Sequence, residues 1–269
     1  MICIHEVFRH CQSLNKAMIA IFALIFVMMA EFFLPSTGTC DTQQSWNARS
    51  EYLRKNMCYI LSLPDDRVPL ETRTHRVTQG DGYRIESVTY ASEPGSRITA
   101  TLYLPDDTVK PVPAIVIACG HGGSKSGLYA QYAGQLYARL GFACLIPDTI
   151  GEEEREKSGR MGARGHDLYH LGTSNPVFVR QELGRLVLGK IVLDLIRSID
   201  YLESRGEVDS DNIGIAGYSL GGTSAGCTAI VDDRVRAAVL RIWYASRTAP
   251  PHVNKYFAIG TALLQGFAP

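Results

Sequence analysis

Neither sign of charge predominates in this 269-residue sequence: Lys plus Arg and Asp plus Glu each total 27. Without a basic surplus there is no electrostatic footprint for nucleic acid, which is not expected as a partner. The seven cysteines, Cys3, Cys11, Cys40, Cys58, Cys119, Cys144 and Cys227, lack CxxC spacing. That disfavours zinc and thioredoxin-like chemistry. Cys119 and Cys144 end apolar runs, and their plain reading is as small buried hydrophobes. His166 and His170 stand four apart without a clear helical pattern or a third ligand, so no metal is expected, and no cofactor. Internal repeats and low-complexity tracts are also absent.

Long hydrophobic runs are scarce as well. The uncharged run Ala17–Ala30 is short for a membrane span, which needs ~20 residues. Arg9 and Lys16 precede it, and Glu31, Pro35 and the small residues Ser36-Thr37-Gly38-Thr39 follow. Basic region, short apolar region, small-residue site is the order of a secretory signal peptide. Counting Phe32, Phe33 and Leu34 brings an uncleaved N-terminal membrane anchor within reach. Residues 1–39 are therefore read as a signal peptide or anchor, and the remainder as exported, secreted or periplasmic. Cys40 has no leucine three positions before it, which leaves a lipoprotein reading weak. Disulfides are permitted in that compartment but not indicated.

What the sequence does contain is an alternation of elements. Trp46, Leu53, Met57, Ile60 and Leu61 recur at helical spacing before Ser62-Leu63-Pro64, which predicts a helix packed on the main domain. Arg84–Ala91 and Arg97–Leu104 alternate apolar with polar around the turn Glu93-Pro94-Gly95-Ser96, an antiparallel hairpin. From Pro113 the texture changes. Ala114–Ala118 and Phe142–Ile146 are continuous apolar runs, as buried parallel strands are, with a helix between them over Leu128–Leu140. Glu182–Glu203 is apolar around much of its circumference, the mark of a buried helix. A strand over Ile213–Ala216, a helix over Leu220–Ile230 and a strand over Ala237–Trp243 follow. The fold class is α/β: a mostly parallel sheet with right-handed crossovers after an antiparallel N-terminal hairpin. Residues 40–80 are assigned to an N-terminal helical extension and 81–269 to the α/β domain. On this reading the sheet ends on an uncovered strand at Ala237–Trp243, a pairing liability. Ala258–Phe267 is apolar enough to cover part of that edge. Thr149–Gln181, of mixed charge and glycine, is either a solvated loop or a rim at the carboxyl end of a parallel strand, where open α/β sheets bind ligands.

The sharpest motif is Gly217-Tyr218-Ser219-Leu220-Gly221-Gly222, between a strand and a helix. Glycine two residues either side of a serine at such a turn is the G-x-S-x-G nucleophile elbow. The turn lifts the Ser219 hydroxyl above the sheet and aims the Leu220 amide, at a helix N-terminus, at whatever the hydroxyl attacks. Gly217 and Gly221 are the elbow glycines; an ordinary glycine-rich turn is the bland alternative. Acyl transfer also needs a second oxyanion donor. Cys119-Gly120-His121-Gly122-Gly123-Ser124-Lys125 follows the first parallel strand, and its bare backbone can approach a substrate. Gly123 is the expected donor, with Gly122 next, and such a donor is typically worth about 3 kcal/mol of barrier. The same run misses a phosphate-binding P-loop, because Ser124 and Cys119 stand where the two required glycines should. His121, Tyr218 and Asp148 are candidate rim residues for a substrate.

Acid and base are scarce. Beyond Ser219 the carboxylates are Asp232 and Asp233, and the histidine is His252. In this architecture the order is Ser, then Asp or Glu, then His. Asp232-Asp233-Arg234 precedes a strand, at the wrong end of the sheet for a triad acid, and reads as a capping turn. His252 follows Pro250-Pro251 and reads as structural or solvated before it reads as a relocated base.

From about Trp46 onward the chain resembles the α/β-hydrolase superfamily. It is most similar to the secreted acetyl xylan esterase-like, dienelactone hydrolase-related and prolyl-oligopeptidase-related carboxylesterases. The hairpin ending Ala-Thr-Leu-Tyr-Leu-Pro105 carries the likeness, with Ala118-Cys-Gly-His-Gly-Gly-Ser-Lys125 and Pro147-Asp148. So do Ser198-Ile-Asp-Tyr-Leu202 and Val208-Asp-Ser-Asp-Asn-Ile-Gly214, running into the elbow. The resemblance implies a three-layer αβα hydrolase fold and a serine carboxylesterase that acts on acetyl or other small acyl esters, including those of carbohydrates. It implies Ser219 as nucleophile, with Gly123 and Leu220 as oxyanion donors. Such domains continue for two further strands carrying the acid and the histidine. Their absence here implies a truncated hydrolase, or one that has lost the reaction and only binds. A prolyl-oligopeptidase-type peptidase is disfavoured by the lack of a propeller-length N-terminal region.

Overall fold

The computed structural model describes residues 43–106, 110–155, 187–244 and 258–265. The N-terminal targeting segment, His166, His170, His252 and most of the Thr149–Gln181 stretch lie outside the described residues. Among those that are described, no helix is long and apolar enough to cross a membrane.

The chain enters through helix α1 (Gln43–Leu61). Strands β1 (Arg73–Gln79), β2 (Tyr83–Glu93), β3 (Ser96–Pro105), β4 (Val112–Ala118) and β5 (Ala143–Pro147) follow, with α2 (Leu128–Arg139) between β4 and β5. A 3-10 turn at Glu153–Arg155 closes this part. Then come α3 (Val187–Glu203), β6 (Val208–Tyr218), α4 (Leu220–Val231), β7 (Val235–Tyr244) and β8 (Ala258–Gln265). Among the described residues, eight strands form one sheet in the order β1-β2-β3-β5-β4-β6-β7-β8. The strands β5, β4, β6 and β7 are mutually parallel, while β1, β2 and β3 are antiparallel.

Alternation along the strands builds two cores. Leu102 and Leu104 of β3 and Ala114 and Val116 of β4 face α3, where Ile191, Leu195, Ile199 and Leu202 meet them. Tyr103, Ile115 and Ile117 point the other way, against Ala130 and Ala138 of α2. The result is the expected three-layer αβα arrangement. Approach of α2 is close enough that a Cβ on Gly134 would sit 2.4 Å from the Tyr103 ring. Outside α3 lies α1, whose Leu61 packs with Val192, Ile196 and Cys227.

Two features differ from the sequence reading. β1 is an additional edge strand, every residue of it exposed; with Val77 its one apolar side chain, backbone pairing to β2 and not burial defines it. The edge at β7 is not open. β8 runs antiparallel beside it, from Ala237↔Gln265 to Tyr244↔Ala258. The expected uncovered strand is corrected accordingly: the last parallel strand has a backbone partner.

Candidate active site

Between the end of β6 and the start of α4 stands a single residue, Ser219, with φ 57° and ψ −122°. A positive φ on a non-glycine residue costs about 1–3 kcal/mol and persists only where the surroundings over-determine it. Here the surroundings are backbone. A Cβ on Gly217 would lie 2.1 Å from the Gly221 carbonyl oxygen, and one on Gly221 would lie 2.0 Å from that of Ala118. The Ser219 N–H donates to the Arg241 carbonyl of β7 at 2.8 Å. Half-buried, the serine sits above the sheet while its own backbone is fixed. The Leu220 N–H opens α4 and, as a first-turn amide, has no acceptor inside the helix.

The β4–α2 loop comes against this elbow. A Cβ on Gly120 would be 2.9 Å from the Tyr218 carbonyl oxygen and 3.5 Å from Ser219 Cβ. Gly123 donates its N–H to the Gly120 carbonyl at 2.9 Å, with Gly122 at φ +71°, a β-turn whose third residue is left-handed. The Gly123 amide, the donor expected first, is thus engaged by the turn. The turn's own hydrogen bond does not use the Gly122 amide, the donor expected next. Tyr129 of α2 places its hydroxyl beside the Cys119 thiol and the Gly120 backbone of this loop. A Cβ on Gly123 would lie 2.3 Å from that hydroxyl. Burial pushes the Cys119 thiol up to about 12, so Cys119 is no nucleophile at neutral pH. His121 is half-buried, and Tyr218 is exposed with the Arg241 guanidinium 5.6 Å above its ring.

Asp148, expected at the rim, is not available to a substrate. Its side chain is fully buried. It accepts from Thr99 Oγ1 at 2.7 Å and from the Lys125 amide at 3.0 Å, and it pairs with the Lys125 ammonium. Glu153 pairs with the same ammonium at 2.7 Å and accepts from the Ser126 amide at 3.2 Å; Glu154 completes the group. The oxygens of Asp148, Glu153 and Glu154 lie within 4.8 Å of one another, and the cation that they share is Lys125. Burial works against Glu153, yet hydrogen bonds from Lys125, Ser124 and Ser126 hold it down to about 2. At Asp148 burial prevails and its carboxyl is pushed up. Neighbouring Glu152 is 3 % exposed with Oε2 unpartnered. Burial, then Asp148 and Glu153, raise it. Sequence reasoning missed Tyr129, Lys125 and Glu153; the acidic run Glu152-Glu153-Glu154 beside a buried strand was the available signal.

No triad acid is built from Asp232 or Asp233. Asp232 closes α4 and pairs with Arg234 at 2.6 Å, and Asp233 pairs with Arg54 of α1. The β6–β7 register, Ile213↔Val235 through Tyr218↔Arg241, puts them at the opposite end of the sheet, ~20 Å from the elbow at about 3.3 Å per residue.

Sequence comparison adds the decisive observation: the profile of the dienelactone hydrolase family matches residues 98–268, more than half of the chain. The chain belongs to the dienelactone hydrolase family. YtaP of Bacillus subtilis, provisionally assigned as a hydrolase, is 27% identical over 199 residues, 69% of this chain and 62% of YtaP. A Bacteroides fragilis protein provisionally assigned as an acetyl xylan esterase superposes with a TM-score of 0.60 at 21% identity, over 72% of this chain and 53% of its own. A methylesterase does so with a TM-score of 0.61 at 22% identity, over 74% and 41%. These structures carry the α/β-hydrolase fold. The chain spans about three-fifths of YtaP and about half of the structural relatives. The matched residues include the elbow and the β4–α2 loop.

Proposed function

We propose that this dienelactone hydrolase family member is an exported serine carboxylesterase that cleaves acetyl or other small acyl esters, with carbohydrate esters the favoured class. Ser219 Oγ attacks the ester carbonyl, the bond from that carbon to the alcohol oxygen breaks, and the alcohol leaves with the serine proton. Water then releases the acid from the acyl-enzyme. The Leu220 amide and a β4–α2 loop amide, Gly122 in the observed turn, stabilise the oxyanion. The observation that carries this is the Ser219 backbone at φ 57°, ψ −122°, between a buried strand and a helix N-terminus. The acetyl xylan esterase and methylesterase among the structural relatives support the substrate class, and the N-terminal order of basic, apolar and small residues supports export.

A second reading rests on the placement of Asp232 and Asp233 at the far end of the sheet: a pocket that binds but lacks the charge relay. One experiment separates the two. Incubate the full chain with a fluorophosphonate probe and with nitrophenyl acetate. The esterase reading expects labelling and turnover that vanish in Ser219→Ala. Absent labelling of the folded wild type favours the binding reading.

A further inference from the structure

The 119–126 loop is gripped at both ends by side chains outside the proposed reacting set. At its start the Tyr129 hydroxyl lies against the turn, 2.3 Å from where a Cβ on Gly123 would stand. At its end two carboxylates hold two successive backbone amides: Asp148 Oδ1 accepts from Lys125 N at 3.0 Å and Glu153 Oε1 from Ser126 N at 3.2 Å. The Lys125 ammonium lies between those carboxylates. We propose that Asp148 and Glu153 are positioning residues that fix the β4–α2 loop, and with it the Gly120–Gly123 turn, against Ser219.

Three observations carry this. Glu153 sits at φ 46°. A glycine adopts that backbone freely, whereas a side chain there is strained; the contacts of this carboxylate offset the strain. The second is anchorage. Arg155 donates to the Asp148 carbonyl at 2.8 Å and pairs with Asp194 of α3 at 2.7 Å. Asp194 in turn pairs at 2.6 Å with Lys190, itself 1 % exposed. The 3-10 turn is therefore tied to the core, and its carboxylates are fixed points rather than surface charges. The third is economy of contact: Asp148 and Glu153 spend their oxygens on Thr99, Lys125 and Ser126, outside the elbow. Their role is to place backbone donors, whose value depends on position to within about 1 Å.

The catalytic consequence rests on the esterase reading; the structural one does not. Glu153→Gly keeps the backbone angle and removes the carboxylate, Glu153→Gln keeps an acceptor for Ser126, and Asp148→Asn keeps an acceptor for Lys125 without its charge. Amide hydrogen exchange of residues 119–127 and steady-state hydrolysis of nitrophenyl acetate are measured on the full chain. In Glu153→Gly, exchange in this segment rises while the rest of the sheet is unchanged, and kcat falls about tenfold or more with KM moving less. Glu153→Gln recovers part of both. Asp148→Asn shows the same pattern, and decides the matter if Glu153→Gly fails to fold. Unchanged exchange in both positions overturns the proposal, as does raised exchange with unaltered kcat. A wild type that neither labels nor turns over sinks the esterase reading alone, and the exchange data then decide whether these carboxylates hold the loop.

Discussion

At Ser219 a strained backbone is held by contacts that tolerate no extra atom. The glycines on either side are there because the chain folds back on itself within carbonyl contact distance. Gly217→Ala and Gly221→Ala each place a Cβ about 2 Å from a backbone oxygen, which the elbow relieves only by opening. Overpacking of this kind typically costs 1–3 kcal/mol, or roughly 2–4 °C of melting temperature per kcal/mol in a chain of this size. Both variants should melt lower and lose any Ser219 labelling together. Glu152 behaves oppositely. Its carboxyl is raised above the ordinary 4.5 by burial and by Asp148 and Glu153, so the folded state binds that proton more tightly than the unfolded one. Its ionisation penalises folding as pH rises above 4.5 and is relieved below it. Glu152→Gln should therefore raise the melting temperature at pH 7.5 and leave it unaltered at pH 4. An equal effect at both pH values would show that charge is not the cause. The elbow was legible in the sequence because the residues that its sterics demand, Gly217, Ser219 and Gly221, are consecutive enough to read as one motif, although Gly221 answers to the Ala118 carbonyl of β4. The Lys125 cluster was not: its carboxylates lie more than twenty residues away, and nothing in a lysine after glycines says which acid it will meet.

Elements were legible where burial shaped them and obscure where backbone pairing did. β4, β5, α2 and α3 announce themselves because each is buried on the face or faces that its apolar pattern marks. β1 does not, since an edge strand exposed along its whole length needs only hydrogen bonds to β2. The docking of α1 lies between these cases. Its apolar spacing predicts a packed helix, but the partner is a backbone contact: a Cβ on Gly189 of α3 would fall 2.1 Å from the Leu61 carbonyl oxygen at the end of α1. Gly189→Ala should push α1 away from α3 and α4, loosening Leu61 from Val192, Ile196 and Cys227. Limited proteolysis within residues 47–61 should accelerate while the sheet stays protected. If cleavage of that segment is unaltered, α1 is held by its Arg54 contacts to Ile230 and Asp233 instead.

For the molecule as a whole, the described sheet ends on β1 at one side and on β8 at the other, and β1 and the penultimate β7 are protected differently. β1 at one edge carries Arg73 and Arg76 exposed, and charge on an edge strand discourages pairing with another chain. β7 carries Val239 and Leu240 between Ala238 and Arg241, close to a strand meant for a sheet interior, and β8 gives it an antiparallel partner along its length. The α/β-hydrolase likeness made β7 look like an unfinished edge, because local sequence cannot say whether a distant apolar segment will pair there. If β8 supplies that protection, removing residues from Ala258 onward leaves a row of unpaired amides and carbonyls beside apolar side chains. The shortened chain should then keep its far-ultraviolet helix signal, since α1 to α4 precede the cut, but associate in proportion to its concentration. Light scattering across a dilution series reads this directly. Placing a lysine at Val239 in the shortened chain should suppress the association, as charge does at the β1 edge. A shortened chain that stays monomeric at every concentration would mean that β7 is protected by something other than β8.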